Sequence, residues 1–246
     1  MKQVTRGVYF IQGQDALIPD AHAYVIGEPS SKDLTLVEAG LMGKGNYKID
    51  CVVELGIDPA DIKRVILTHT HLDHIGCLQE ILDRLPNVEL WMHKTEAELL
   101  EQGDERAAYG MQMFQAMLES HYGFKPGSFC FKTDRKLEGD EILEIGGMTW
   151  EVIHIPGHSP GSIGLYNRDM RILIPGDVVY SDYAIGRFDL HGADGPELRK
   201  SLLALSELEV DILLPGHNSI VENLPPGYIA QVAEQWGPFL KSPQSR

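Results

Sequence analysis

The sequence predicts an α/β protein, and three observations carry that prediction. The chain opens with short apolar runs at Val8 to Ile11, Ala23 to Ile26 and Leu34 to Val37, separated by Gly, Pro, Ser and Asp clusters, as in an antiparallel meander. From Asn46 onward, helical and strand-like periodicities alternate. In the second half, three apolar runs each stop at Pro-Gly, a pair that ends a strand and turns the chain sharply.

Taken in order, the apolar spacing from Asn46 to Gly56 predicts a helix, and Asp58-Pro59 starts a further short helix before a buried strand at Val65-Ile66-Leu67. A helix is expected over Ile75 to Leu85, with Pro86 ending it, followed by a strand from Val88 to Met92. A Met-rich helical insertion at about 95–136 places Met111, Phe114, Met117 and Leu118 on one stripe, read as a core-facing helix in preference to a substrate lid. Ile142 to Ile145 and Met148 to Ile155 flank Gly146-Gly147 as a hairpin, and a C-terminal helix is expected at about 226–242.

A chain of 246 residues can bury a substantial core, and a single domain over 1–246 is the expected organisation. Apolar residues at 43% and charged residues at 23% are ordinary for a globular protein and argue against disorder. No apolar run approaches the roughly 20 residues of a membrane span. The N-terminus shows no secretory pattern, so a cytoplasmic protein without a membrane partner is expected. The net charge of −15 speaks against nucleic acid as a partner. Cys51, Cys77 and Cys130 read as free, buried packing residues, with no Cys-x-x-Cys pair to suggest a thiolate site.

The chemistry is concentrated at the ends of apolar runs. Val65-Ile66-Leu67 leads into Thr68-His69-Thr70-His71-Leu72-Asp73-His74, three imidazoles and a carboxylate. Three later strands end in Pro-Gly followed by His158, Asp177 and His217. Singly, each has a plain reading: Asp73 as a helix N-cap, His158 and His217 as loop residues, Asp177 as a turn residue. Four strands delivering metal-type donors to one rim make a shared metal site the better account. His69 and His71, two apart on extended backbone, point to one side and can share an ion, while Asp73 and His74 follow the turn and can face a second.

These residues resemble the metallo-β-lactamase superfamily, whose His-x-His-x-Asp-His signature matches His69 to His74 and whose later ligands match His158, Asp177 and His217. The resemblance spans about Val8 to His217 and implies a four-layered αββα sandwich. It further implies that His69, His71 and His158 hold one metal ion, that Asp73, His74 and His217 hold another, and that Asp177 bridges them. Where many members carry an aspartate after an early strand, this chain has Glu38; if Glu38 takes that supporting place, its longer arm is expected to orient the His69-His71 loop slightly differently, which bears on metal occupancy or preference and not on the fold.

Such a site implies a hydrolase in which a hydroxide bridging two divalent metal ions cleaves an ester, thioester or lactone of a small-molecule substrate. Zinc is the first expectation, and the same donors accommodate iron or manganese. Asp73 is expected to carry the proton to the leaving group. Tyr180, three residues after Asp177, resembles the phenol near the site of N-acyl homoserine lactonases and is a second catalytic candidate, its alternative being a packed sandwich-edge tyrosine. The stretch Tyr183 to Asp194, with Arg187, Phe188 and His191, reads as a surface loop in preference to a pocket wall. Among the other histidines, His22, His93, His121 and His154, His154 is expected nearest the metals. The main alternative is an oxidoreductase resembling the mononuclear iron sulfur (persulfide) dioxygenases. Hydroxyacylglutathione hydrolases share the motifs but usually add a helical domain, whereas Asn218 to Arg246 has room for one helix; an exported antibiotic β-lactamase is disfavoured further. The sequence leaves monomer and homo-oligomer equally open.

Overall fold

The computed structural model describes residues 1–85, 87–125 and 127–241, without the side chains of residues 112–114, 121 and 122. Pro86, the end of the C-terminal segment, and the side chains of Phe114 and His121 therefore lie outside the described residues.

The described residues form two β-sheets. Strands β1 (Lys2–Thr5), β2 (Val8–Ile11), β3 (Ala23–Ile26), β4 (Leu34–Val37), β5 (Ile62–Ile66), β6 (Glu89–His93) and β7 (Arg135–Leu137) make the first, in chain order. Its first four strands run as the expected antiparallel meander, and β4 to β7 pair in parallel. The second sheet holds β8 (Ile142–Ile145), β9 (Met148–His154), β10 (Ile163–Asn167), β11 (Ile172–Ile174) and β12 (Ile212–Leu213), in the order β12-β11-β10-β9-β8.

Strand alternation assigns the layers. Successive side chains face opposite ways, so Val8, Tyr24, Ile26, Val37 and Ile66 meet Leu143, Trp150, Val152, Leu165 and Ile174 in a core between the sheets. Tyr9, Val25, Leu36 and Val65 face the other way, onto α1 (Gly45–Glu54), α2 (Leu72–Ile75), α3 (Leu78–Arg84), α4 (Lys94–Glu101), α5 (Arg106–Tyr109) and α6 (Gln112–Tyr122). On the outer face of the second sheet, Tyr166 and Leu173 pack against Leu198, Leu202 and Leu205 of α7 (Gly195–Ser206) and Ile229 and Val232 of α8 (Tyr228–Trp236). Each such aliphatic side chain contributes about 1.5–3 kcal/mol on full burial. The result is helix, sheet, sheet, helix, the αββα order.

Three expectations need correction. The helix expected over Ile75 to Leu85 starts later, as α3 from Leu78, and Ile75 closes the separate short helix α2. The break comes because the Cys77 N–H turns to the Gly40 carbonyl at 2.9 Å and ties the segment to the loop after β4. The helical stretch expected up to 136 ends instead in β7, which pairs Arg135 with Trp91 while the Arg135 guanidinium lies 4.5 Å from the indole centroid. Cys51 and Cys77 are buried free thiols, but Cys130 is exposed, in the irregular connection between α6 and β7. Leu118 is fully buried and Met117 packs on the outer core, while Met111, at the N-cap of α6, meets Arg187. No described helix is long and apolar enough to cross a membrane.

Candidate metal centre

β5 ends at Ile66, and the next residues wind over the sheet's rim into α2, with His71 as N-cap in extended conformation. Asp73 thus sits inside the first turn of α2, not at the N-cap, and its side chain is free to meet His217. The segments after β9, β11 and β12 reach the same rim, with Gly157 and Gly176 at φ 128° and 54°, values that glycine adopts without steric cost.

The rim gathers all seven predicted donors in two groups. His69, His71 and His158 form one; Asp73, His74, Asp177 and His217 form the other; within each group one donor atom per residue lies within 4.8 Å of the rest. His158 Nε2 is 2.8 Å from His71 Nδ1 and 3.1 Å from His69 Nε2. The Asp177 carboxylate reaches both groups: Oδ1 is 3.3 Å from His74 Nε2, and Oδ2 is 3.4 Å from His217 Nε2 and 3.8 Å from His158 Nε2. His217 Nε2 also lies 2.9 Å from Asp73 Oδ2.

Hydrogen bonds on the far sides of the rings fix their tautomers. The Arg187 carbonyl can only accept, so His158 Nδ1 donates to it at 2.7 Å and Nε2 carries a lone pair. The Thr68 hydroxyl donates to Glu38, so it accepts from His69 Nδ1 at 3.1 Å, and His69 Nε2 is likewise bare. Two lone pairs therefore face each other at 3.1 Å in a buried site, an arrangement that repels unless a cation lies within reach of both. His71 Nε2, both nitrogens of His74, Asp177 Oδ1 and Glu38 Oε2 are buried without a hydrogen-bond partner. The donor set thus fits divalent ions on the site's own chemistry.

The two groups differ in charge. Burial, reinforced by neighbouring histidines, holds His69 well below the usual imidazole range and His71 at about 3, and burial also lowers His158. All three favour the neutral, lone-pair form that metals require. In the second group burial opposes charge, but the carboxylates prevail: Asp177, Glu38 and Asp73 hold His74 well above the usual range, and Asp177 and Asp73 lift His217 to about 10. Conversely, against the effect of burial, His74 and His217 hold Asp73 at about 2, and His217 and His74 keep Asp177 well below the carboxylate range.

Around this centre several residues take places that the sequence left undecided. Glu38, buried at φ 70°, places Oε2 3.3 Å from His74 Nδ1, in the position expected of a supporting carboxylate. The ring of Tyr180 lies 6.2 Å from that of His217, and burial together with Asp177 raises its phenol well above the ordinary value. Arg187 keeps its side chain half exposed and paired with Asp189, while its carbonyl accepts from His158 Nδ1. His154 is a correction: it is exposed, stacks on His93 at 4.1 Å and joins neither donor group. His22 lies near the centre instead, accepting from Gly13 N–H through Nδ1 and donating through Nε2 to the Asn218 carbonyl at 2.6 Å, beside His217.

A two-sheet sandwich with histidine and aspartate donors collected on one rim defines a class of metal-binding α/β proteins. A family model described as the metallo-beta-lactamase superfamily matches residues 19–217, and the chain belongs to that superfamily. It is 30% identical over 198 residues to the "Probable metallo-hydrolase YqgX" of Bacillus subtilis, covering 80% of this chain and 83% of that protein. It is 29% identical over 192 residues to the "Hydroxyacylglutathione hydrolase GloC" of Haemophilus influenzae, covering 76% of this chain and 81% of GloC. Among solved structures, the BLEG-1 B3 metallo-beta-lactamase superposes with a TM-score of 0.69 at 26% identity, over 95% of this chain and all of that one. TTHA1623, solved in a di-iron-bound form, shares the fold with a TM-score of 0.66 at 23% identity, over 90% of this chain and 96% of that one.

Proposed function

We propose that this metallo-β-lactamase superfamily protein is a metal-dependent hydrolase acting on an ester, thioester or lactone, with two divalent ions, zinc first, held by His69, His71 and His158 and by Asp73, His74 and His217, and with Asp177 shared. The observation that carries the reading is the pair of bare imidazole nitrogens facing one another at 3.1 Å beside a carboxylate that reaches both donor groups. When bound, such ions supply Lewis acidity and lower the pKa of water.

The chain's own residues supply the rest. His69, His71, His74, His158 and Asp177 are buried, whereas the side chains of Asp73 and His217 are 21% and 14% exposed, so substrate approaches over this edge. Asp73, held low in pKa, is ionised at neutral pH and can accept a proton from the attacking water and pass it to the leaving alkoxide or thiolate. Tyr180, held protonated, can donate a hydrogen bond to the substrate's carbonyl oxygen or the departing oxygen. GloC adds acylated glutathione thioesters to the substrates worth testing, and BLEG-1 adds β-lactams.

The test is metal quantification of the purified protein, then hydrolysis assays on lactones, thioesters including S-acyl glutathiones, phosphodiesters and a β-lactam. Two divalent ions per chain with ester, thioester or lactone turnover support the reading. One iron with oxygen consumption on a persulfide replaces it with the dioxygenase alternative, and a protein that takes up no divalent ion removes it.

A further inference from the structure

The two segments that carry the three-histidine group also meet a buried acid that belongs to no donor group. Glu96, in the first turn of α4, is 1% exposed. Its Oε2 accepts from the Thr70 hydroxyl at 2.5 Å; its Oε1 accepts from the Ser159 hydroxyl and from the Gly161 N–H at 3.1 Å. Thr70 stands between His69 and His71, and Ser159 follows His158. One carboxyl group therefore ties together the two segments that carry this donor group, segments 87 residues apart in the chain.

We propose that Glu96 is a positioning residue that sets the metal affinity of the His69, His71 and His158 group by clamping these two segments, a role that rests on the metal-site reading above. The surroundings are fitted to it. A Cβ on Gly161 would stand 2.4 Å from Glu96 Cγ, so only glycine lets the 159–162 turn close over the acid. Ser162 completes the turn, its Oγ 2.8 Å from Ser159 Oγ and accepting from the Ser159 N–H at 3.2 Å. Glu38 works differently. It supports His69 through Thr68 and lies beside His74, so it touches both donor groups. Among the described residues, the side-chain bonds of Glu96 go to Thr70, Ser159 and Gly161, on the two segments that carry the three-histidine group, and its effect is confined to that group. Nitrogen donors 2.8 and 3.1 Å apart answer to small displacements, because outer hydrogen bonds hold ring orientation and ligand basicity.

The test uses the whole protein and compares Glu96→Gln with wild type by competition of zinc against a chromophoric chelator and by the absorption spectrum of the cobalt(II)-loaded form. To isolate the three-histidine group, both are repeated in the Asp73→Asn background, where the other group is impaired. The expected result is a loss of about 10- to 100-fold in affinity for one metal equivalent, seen also in that background, with an altered cobalt spectrum and the other equivalent within about threefold of wild type. Should Glu96→Gln fail to fold, Thr70→Val and Ser159→Ala take its place with the same expected selectivity, and Thr70→Ser, which keeps the hydroxyl, restores wild-type affinity. Unchanged affinity, or an equal loss at both equivalents, overturns the proposal while leaving the metal-site reading intact. Wild type taking up no divalent ion removes both.

Discussion

The Lys48 ammonium and the Asp20 carboxylate meet at 2.9 Å with neither side chain exposed, behind the loop that carries Asp73. Lys48 also donates to the Ala21 carbonyl at 2.8 Å, and the Ala21 N–H donates to the Asp73 carbonyl at 3.1 Å. Asp20 further accepts from the N–H groups of Leu41 and Gln14, both at 2.7 Å. Removing one partner leaves a buried, unpaired charge. Lys48→Met is expected to cost about 3–5 kcal/mol in chemical denaturation. Because Asp20 also satisfies two backbone donors, replacing both members with apolar residues will not restore wild-type stability; full restoration would show the pair to be energetically dispensable.

Asp73 contacts His217 through the oxygen that also lies 4.0 Å from His74, on the open edge of the site. Asp73→Asn keeps the shape but removes the charge and the proton acceptor. Steady-state kinetics on whichever ester, thioester or lactone the wild type cleaves should show kcat reduced about 100- to 10,000-fold. Binding of one metal equivalent, the one assigned to the three histidines, should persist. An Asp73→Asn protein with wild-type turnover and both ions bound ends the proton-transfer assignment.

How far this was legible in the sequence follows from what each signal encodes. All seven donors could be named because strand-ending Pro-Gly pairs and a two-residue histidine spacing are local features with direct geometric consequences, and the rim collects them. The antiparallel opening and the hairpin at Gly146-Gly147 were equally local. What could not be read depends on distant partners. β7 exists because Arg135 finds Trp91, and α2 and α3 separate because Cys77 finds Gly40. Glu96 looks like any acid in the first turn of a helix until Thr70 and Ser159 fold onto it. His22 and His154 carry no signal that tells them apart, and only the return of the 216–218 segment puts His22 beside the centre.

Gly216 lies against the donors themselves. A Cβ there would come within 2.1 Å of Asp177 Oδ1 and 2.8 Å of His74 Cε1, so Gly216→Ala must displace one or the other. Overpacking of this kind costs about 1–3 kcal/mol. Thermal unfolding should therefore show a modest loss, while chelator competition shows a pronounced one in metal uptake. Alanine with unchanged metal affinity would mean that the close approach of the 215–217 turn is not what holds Asp177 in place.

The three cysteines give a readout of packing that does not pass through the metal centre. Cys77 is fully buried, its Sγ donates to the Ala39 carbonyl, and burial pushes its thiol up to about 12, so only roughly one molecule in ten thousand carries the reactive thiolate at pH 8. Cys51 is buried in the same outer core, whereas Cys130 is exposed. A chromogenic disulfide reagent at pH 8 should therefore titrate one thiol quickly in the native protein and three after denaturation, and Cys130→Ser should abolish the fast phase. A fast phase that survives this substitution would show the helical layer over β4 and β5 to open far more readily than its apolar packing allows, since a thiol under that layer reacts only when the helices lift away.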